Sequence, residues 1–390
     1  MKNMKRRYSN RTAVALVGAI FALFAPFSAV AFETSAKQAV LIDAATGAVL
    51  FEKDASLPMA PASMTKMMTA YLIFERIKAG ELSLDETFTV SVDAWKRGGA
   101  ASGSSTMFLE PNSQVSLEDL IRGIVVQSGN DACIVIAEGL AGTEEAFAVK
   151  MTEKAIELGM TNTQFRNSTG WPDPDHYSSA ADLAMLAQRM VQDFPNLYRY
   201  YSETSFTYNG IAQSNRNPLL YRNIGADGVK TGHTSVSGYG LTGSAKRGDQ
   251  RLILVVNGLT SRKLRSSESL KFMEWGFREF GTYALFQPGE TVGEADVWLG
   301  TARTVPLVIE RPVLLSLRKE ARRDMVVKTV YTSPVEAPIA VGDPIGEVVV
   351  TVPGEPERRY PLSAGAATER LGLFGRLQAA IDYILWGSSG

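Results

Sequence analysis

Cysteine and histidine are almost missing from this chain of 390 residues: Cys133 is the only cysteine, and His176 and His233 are the only histidines. A single cysteine excludes an intramolecular disulfide, so packing must hold the fold whatever the redox state of its compartment. Two histidines make both a multi-histidine metal centre and a histidine-centred proton relay unattractive. No cluster of His, Cys, Asp and Glu has metal-ligand spacing, and the sequence points to no cofactor. A charge excess is missing as well. Against 40 Lys and Arg stand 41 Asp and Glu, a formal net charge of −1, and nothing suggests a nucleic-acid partner. Cys133 lies in the apolar run DACIVIAEGL, where buried packing is the expected role rather than reactivity.

What is present begins at the two ends. Lys2, Lys5, Arg6, Arg7 and Arg11 precede an apolar run from Ala13 to Ala25, then Pro26 and the small residues Ala29-Val30-Ala31. This is the layout of a secretory signal peptide over residues 1–31, cut after Ala31; an uncleaved signal anchor is the alternative. Either way, export is expected. Losing the leader removes five cations and no acid and lowers the net charge to −6. At 45% hydrophobic content, the remainder suits two domains, each with its own core. At the far end, LGLFGRLQAAIDYILW places Leu373, Phe374, Leu377, Ile381, Ile384 and Leu385 on one helical stripe, with Arg376, Gln378 and Asp382 mostly off it. Residues 368–390 are too short and too charged to span a bilayer. They suit an amphipathic helix in the interface with Trp386 at headgroup depth, although a docked terminal helix would show the same stripe. Arg370 and Arg376 are balanced by Glu369 and Asp382, where interfacial helices are usually more cationic.

Between the ends, QAVLIDAATGAVLFEKD predicts two strands around Thr46-Gly47, and GYGLTGSAKRGDQRLILVVNGL predicts two more. The runs SLEDLIRGIVV, DACIVIAEGL, EEAFAVKMTEKAIEL and SAADLAMLAQRMVQD between them are helical in pattern. Strands from both ends with helices in the middle imply an α+β domain over residues 32–281: one antiparallel sheet, closed by the first and last elements, beside a helical block. SSESLKFMEWGFREF predicts a helix that closes this domain. Residues 282–367 turn to short β-rich runs such as VPLVIE and GEVVVTVP, punctuated by Pro and Gly, which predict a small all-β sandwich without a chemical motif.

Three motifs carry the chemistry. Ser63-Met64-Thr65-Lys66 follows Pro61 and opens the mostly apolar run MTKMMTAYLIFERIKAG, a helix that Gly80 ends. Its spacing sets a hydroxyl and an amine one turn apart on one face, a nucleophile with its base; alone, it could equally be a capping serine and a surface lysine. Ser128-Gly129-Asn130 and Lys230-Thr231-Gly232 follow in order. Together the three resemble the active-site set of the penicillin-binding proteins and serine β-lactamases, with Gly129 where many members have Asp. The surroundings PASMTKMMTAY, QSGNDA and DGVKTGHT are similar to those of the low-molecular-mass D-alanyl-D-alanine carboxypeptidases of the serine peptidase type, over a stretch from about Ala36 to the C-terminus.

That resemblance implies a β-lactamase/transpeptidase-like fold and a serine enzyme that removes the terminal D-alanine from peptidoglycan pentapeptide stems, with β-lactam antibiotics as covalent inhibitors. It also implies a peripheral position on the periplasmic face of the inner membrane, held on the outer leaflet by the C-terminal helix. With histidine scarce, Lys66 must be the base. At a reference pKa of about 10.4 it would be neutral only about once in 2,500 at pH 7. Lys230, as a second cation about 6 Å away, would lower that value by about 2.8 kcal/mol of repulsion at an effective dielectric of about 20, and burial and the helix N-terminus act in the same direction. In the family arrangement Ser128 relays a proton to the leaving amine and Asn130 holds the substrate amide. The N–H groups of Ser63 and His233 form the oxyanion hole. Thr231 and Lys230, on the strand that Gly232 continues, face the substrate carboxylate, and the resemblance adds Arg216 and Arg265 as its orienting groups. The loop WKRGGAASGSSTMF resembles the family's loop near the groove.

Three other readings share these motifs. A β-lactamase must also hydrolyse its acyl-enzyme, and no Glu-x-x-Leu-Asn lies between Asn130 and Lys230 to serve that step. A D,D-endopeptidase would cut cross-links with the same groups. A non-catalytic penicillin sensor would acylate without turnover.

Overall fold

The computed structural model describes residues 32–386. The signal peptide expected over residues 1–31 lies outside the described residues, as do the side chains of Asp382, Leu385 and Trp386. From Ser35 onward the chain is one compact unit.

Its first part is organised by a five-stranded antiparallel sheet in the order Val49–Lys53, Gln38–Asp43, Gln250–Leu259, Gly238–Arg247, Ala226–Thr234. The expected closure by the first and last elements is present: Gln38 pairs with Asn257 and Asp43 with Leu252. Strand periodicity sends alternate residues to opposite faces. Val40, Ile42, Ile253 and Val255 enter a core shared with the helical block. Leu41 and Leu252 point the other way and meet Gly276 on the helix Arg262–Glu279 so closely that a Cβ there would sit 2.7 Å from Leu41. The turn after Gln38–Asp43 forms because the Asp43 carboxylate accepts from the N–H groups of Ala45 and Thr46 at 2.9 and 3.2 Å, with Gly47 left-handed at φ 72°.

In the helical block, Lys66–Lys78 is buried without a break from Lys66 to Phe74, as suits a central helix. Around it lie Asn130–Ala141, Glu144–Glu157 and Ala180–Asp193. The last two start where Thr143 and Ser179 accept from the N–H groups of Ala146 and Asp182. The run SLEDLIRGIVV is not one helix. It is α-helical over Leu117–Arg122 and then widens into a π turn over Gly123–Gln127. The closing helix begins at Arg262, before SSESLKF, because Ser261 caps it by accepting from Leu264 N–H at 3.0 Å.

The second part has a six-stranded sheet in the order Val326–Tyr331, Pro344–Thr351, Arg358–Ala364, Thr304–Val308, Thr291–Trp298, Val335–Glu336, and a pair Phe280–Phe286 and Val313–Arg318. Leu315 and Leu317 of the pair share a core with Leu307, Val348, Val350 and Leu362 of the larger sheet, the layering of a small sandwich. The two parts are fastened by Thr46 Oγ1 with Ser316 Oγ at 2.6 Å, by Thr282 on the Asp43 carboxylate, and by Lys319 Nζ donating to Phe277 O at 2.7 Å.

The chain ends in the helix Leu373–Trp386. On its stripe Leu373 is 77%, Phe374 91% and Ile384 80% exposed among the described residues. No helix among the described residues is long and apolar enough to cross a membrane.

Candidate active site

Pro61 leads into a 3-10 turn, Ala62–Thr65, that runs directly into the helix Lys66–Lys78. A 3-10 turn eclipses side chains three apart. It therefore brings Lys66 Nζ to 3.1 Å from Ser63 Oγ. Ala62 adopts φ 49°, outside the comfortable range of a residue with a Cβ, and its turn is wedged between two glycines. A Cβ at Gly232 would lie 2.7 Å from Pro61 O, and one at Gly170 only 1.9 Å from Ala62 O. Thr65 is held from beneath by His176. Nδ1 of that imidazole accepts from Arg166 N–H at 3.1 Å, which leaves Nε2–H to donate to Thr65 Oγ1 at 2.8 Å. Burial lowers the pKa of His176 to about 4, so the ring is neutral.

Ser128 ends the π turn in the left-handed region at φ 63°, and Gly129 N–H donates back to Gly123 O at 2.8 Å. This places the Ser128 hydroxyl 2.9 Å from Lys230 Nζ, which reaches it from the sheet's edge strand Ala226–Thr234. A Cβ at Gly129 would lie 2.8 Å from Asp131 Oδ1, which gives the glycine its physical reason here. The Asp131 carboxylate is fully buried and accepts from Thr106 Oγ1 at 2.5 Å and from the N–H groups of Met107 and Leu109, pinning the Gly- and Ser-rich loop to the second motif. The loop in turn accepts Asn130 N–H at Ser105 O, 2.7 Å.

Lys66 is 1% exposed and Lys230 3%. Besides Ser63, Lys66 Nζ has two close oxygen partners, Asn130 Oδ1 at 2.7 Å and Thr169 O at 2.6 Å. Burial is the main reason its pKa falls from 10.5 to about 8, with Arg216 as the cation that adds to the effect. Burial, expected only as a contributor, leads; Lys66 and Lys230 repel each other, and Lys230 is itself pushed well below its usual value, first by burial and then by Lys66 and Arg216. Of two buried amines, the one that loses its proton first exerts no field on the other.

Above these groups opens a cavity of about 400 Å³ lined by Ser63, Ser128, Thr231, Gly232, His233, Arg216 and Arg265, together with Ser105, Tyr239 and Arg262. Lys66, Asn130 and Lys230 are buried behind this lining, Lys66 against Ser63 and Asn130, and Lys230 against Ser128. The ten residues expected from the sequence thus converge on one cleft. Arg216 donates to Ser105 Oγ. Arg265 is only 5% exposed; its Nη1 lies 3.5 Å from the carbonyls of Gly232 and Gly240, and its Nε has no partner. Arg262 has no acidic partner among the described residues. The His233 ring is exposed and stacks on Tyr239 with centroids 3.9 Å apart.

The residues matched by the family described as D-alanyl-D-alanine carboxypeptidase are 25–261, which includes all three motifs of this cleft. The chain belongs to that family. Residues 280–370 match the C-terminal domain of penicillin-binding protein 5. The D-alanyl-D-alanine carboxypeptidase DacC of Escherichia coli is 38% identical over 364 residues, 91% of each chain. Penicillin-binding protein 5 of Haemophilus influenzae superposes with a TM-score of 0.79 at 36% identity, covering 87% of this chain and 99% of that one. The cefotaxime-bound penicillin-binding protein D2 of Listeria monocytogenes gives a TM-score of 0.55 at 29% identity, covering 63% and 98%.

Several groups of this carboxypeptidase's site escaped the sequence reasoning. Thr169 contributes a backbone oxygen, for which a sequence carries no signal. Asp131 and Glu144 do not line the cleft but hold the loops beside it. Arg262 could have been noticed: with Lys263 and Arg265 it puts three cations at the positive end of a helix whose first turn has no acid, an arrangement unfavourable to the helix itself.

Proposed function

We propose that Ser63 attacks the carbonyl of the penultimate D-alanine of peptidoglycan pentapeptide stems, forming an acyl-enzyme that water then hydrolyses, and that β-lactams acylate the same hydroxyl. The observation that carries this reading is the set of partners around Lys66 Nζ. A neutral amine has two N–H bonds and one lone pair. Asn130 Oδ1 and Thr169 O take the two N–H bonds, so the lone pair is left for Ser63 Oγ at 3.1 Å. With a pKa of about 8, about one molecule in ten has that lone pair free at pH 7.

As Ser63 Oγ bonds to the carbonyl carbon, its proton passes to Lys66. The oxyanion is met by the N–H groups of Ser63 and His233, the latter on the sheet's edge strand where outward N–H groups have no strand to pair with. Ser128, hydrogen-bonded to Lys230, relays to the departing amine, as the peptide C–N bond breaks, the proton that Lys66 took from Ser63, so that Ser128 ends as a hydroxyl and Lys66 is neutral again for the attack of water. The terminal carboxylate is received by Thr231, Lys230, Arg216 and Arg265. Its arrival favours the ammonium form of Lys230, which burial alone discourages. No cofactor enters these steps.

Export by the leader, and attachment to the outer leaflet of the inner membrane by the helix Leu373–Trp386, belong to the same reading. Its support is the apolar stripe, on which Phe374 and Ile384 stand exposed among the described residues. The β-rich second part is then a stalk. The reading is tested by incubating the enzyme with a pentapeptide and with a cross-linked dimer, and by weighing the protein after penicillin. Free D-alanine from the pentapeptide and a lasting adduct are expected. An adduct lost within seconds favours a β-lactamase, cleavage of the dimer alone an endopeptidase, and an adduct without D-alanine release a sensor.

A further inference from the structure

The carbonyl that orients Lys66 does not stand alone. Thr169 belongs to the turn Asn167–Trp171, whose N–H groups at 169, 170 and 171 are gathered by Asn167 Oδ1 at 2.7 to 3.2 Å. Beside it, Ser168 donates both its N–H, at 3.0 Å, and its hydroxyl, at 2.6 Å, to one oxygen of Glu144. The other Glu144 oxygen accepts from Arg97 at 2.6 Å. Glu144 is only 3% exposed and opens the helix Glu144–Glu157, where the helix dipole favours its charge. We infer that Glu144 is a positioning residue for the proposed reaction: its carboxylate clamps Ser168 and thereby fixes the Thr169 carbonyl against Lys66 Nζ. The same negative charge, one of several near that amine, favours its ammonium form.

This rests on the assignment of Lys66 as the base and goes beyond it. The charged and titratable groups facing Lys66 are Cys133 and Asp131 on the helix Asn130–Ala141, Glu144 on the next helix, His176 behind Thr65, and Arg216 and Lys230. Of these, Cys133, Glu144 and Asp131 favour the ammonium form, but burial pushes the Cys133 thiol up to about 12, which leaves it neutral, and of the two acids only Glu144 also holds the turn that touches Nζ.

The test compares the wild type with Glu144→Gln and Glu144→Ala. It reads the pH profile of D-alanine release, the pH profile of penicillin acylation, and the titration of the Lys66 amine by NMR. Glu144→Gln keeps an acceptor for Ser168 and removes the charge, which also uncovers Arg97. The Lys66 midpoint and the acid limb of both profiles should therefore move to lower pH, while the high-pH plateau stays within about threefold. Glu144→Ala frees the turn and should lower the plateau about tenfold or more with KM nearly unchanged. An unchanged Lys66 midpoint in Glu144→Gln, or an upward shift, overturns the inference. So does an Ala variant that melts earlier yet keeps the wild-type plateau. If Glu144→Ala does not fold, Glu144→Gln alone decides. If the wild type releases no D-alanine but its Lys66 midpoint still moves in Glu144→Gln, the reaction is wrong and the inference stands.

Discussion

The pH dependence of acylation follows from one number and can be worked through. Lys66 accepts a proton from Ser63 only when neutral, and burial brings its pKa to about 8. The neutral fraction is then about 1% at pH 6, about 9% at pH 7 and about 50% at pH 8. The value of kcat/KM for D-alanine release from a Lys-D-Ala-D-Ala peptide should therefore rise about tenfold from pH 6 to 7 and about fivefold from 7 to 8, and level off above 9. The second-order rate of penicillin acylation should trace the same limb, because both reactions begin with the same proton transfer. The 2.5-unit depression corresponds to about 3 kcal/mol of disfavoured charge, enough to raise the neutral population at pH 7 a few hundredfold over an ordinary lysine. Initial-rate assays in a series of matched-ionic-strength buffers measure it. A change of less than about twofold between pH 6 and 8, or a limb retained in Lys66→Ala, refutes the reasoning.

Other outcomes follow from single contacts. Ser63→Ala should lose both D-alanine release and penicillin labelling with its unfolding midpoint nearly unchanged, since a half-buried hydroxyl is all that is removed; labelling that persists moves the nucleophile elsewhere. Gly232→Ala places a Cβ 2.7 Å from Pro61 O and should cost about 1 to 3 kcal/mol in urea unfolding and about 100-fold in kcat/KM, because the strain falls on the turn that carries Ser63. His176 has a folded pKa of about 4 against 6.5 unfolded. The unfolded chain thus binds more protons between these values, and stability should fall by up to about 3 kcal/mol as pH drops from 6.5 to 4, a slope that His176→Gln flattens. Removal of residues 368–390 should release the protein from anionic vesicles in a sedimentation assay without changing its peptide kinetics.

Much of the site was legible because its chemistry needs particular side chains at fixed spacings. Ser63 and Lys66 fall three apart on a turn that eclipses them, and Lys230 is marked by the motif it opens rather than by pattern, since Val229 is the only large apolar residue of its strand. The two hairpins announced themselves by alternation and by Gly47. What stayed hidden acts through the backbone or at a distance. The Thr169 carbonyl would be present whatever residue stood there, and Glu144 is one of several acids in EEAFAVKMTEKAIEL until the fold buries it against Ser168. The weight of burial in the Lys66 shift is hidden for a related reason: a sequence shows that two lysines will meet, but not how deeply the fold buries each of them. The start of the closing helix was placed too late because TSRKLR has no apolar period, and only the Ser261 cap defines it.

The central claim is that Lys66 rests with its ammonium form disfavoured, both N–H bonds of its neutral form directed at Asn130 and Thr169, and its lone pair toward Ser63. Its most direct test is the titration of the Lys66 side chain itself in the resting wild-type enzyme, followed by NMR at the carbon next to the amine and assigned with Lys66→Ala. A midpoint close to 8 that coincides with the acid limb of acylation is the predicted result; an amine that stays fully charged to pH 10 contradicts it.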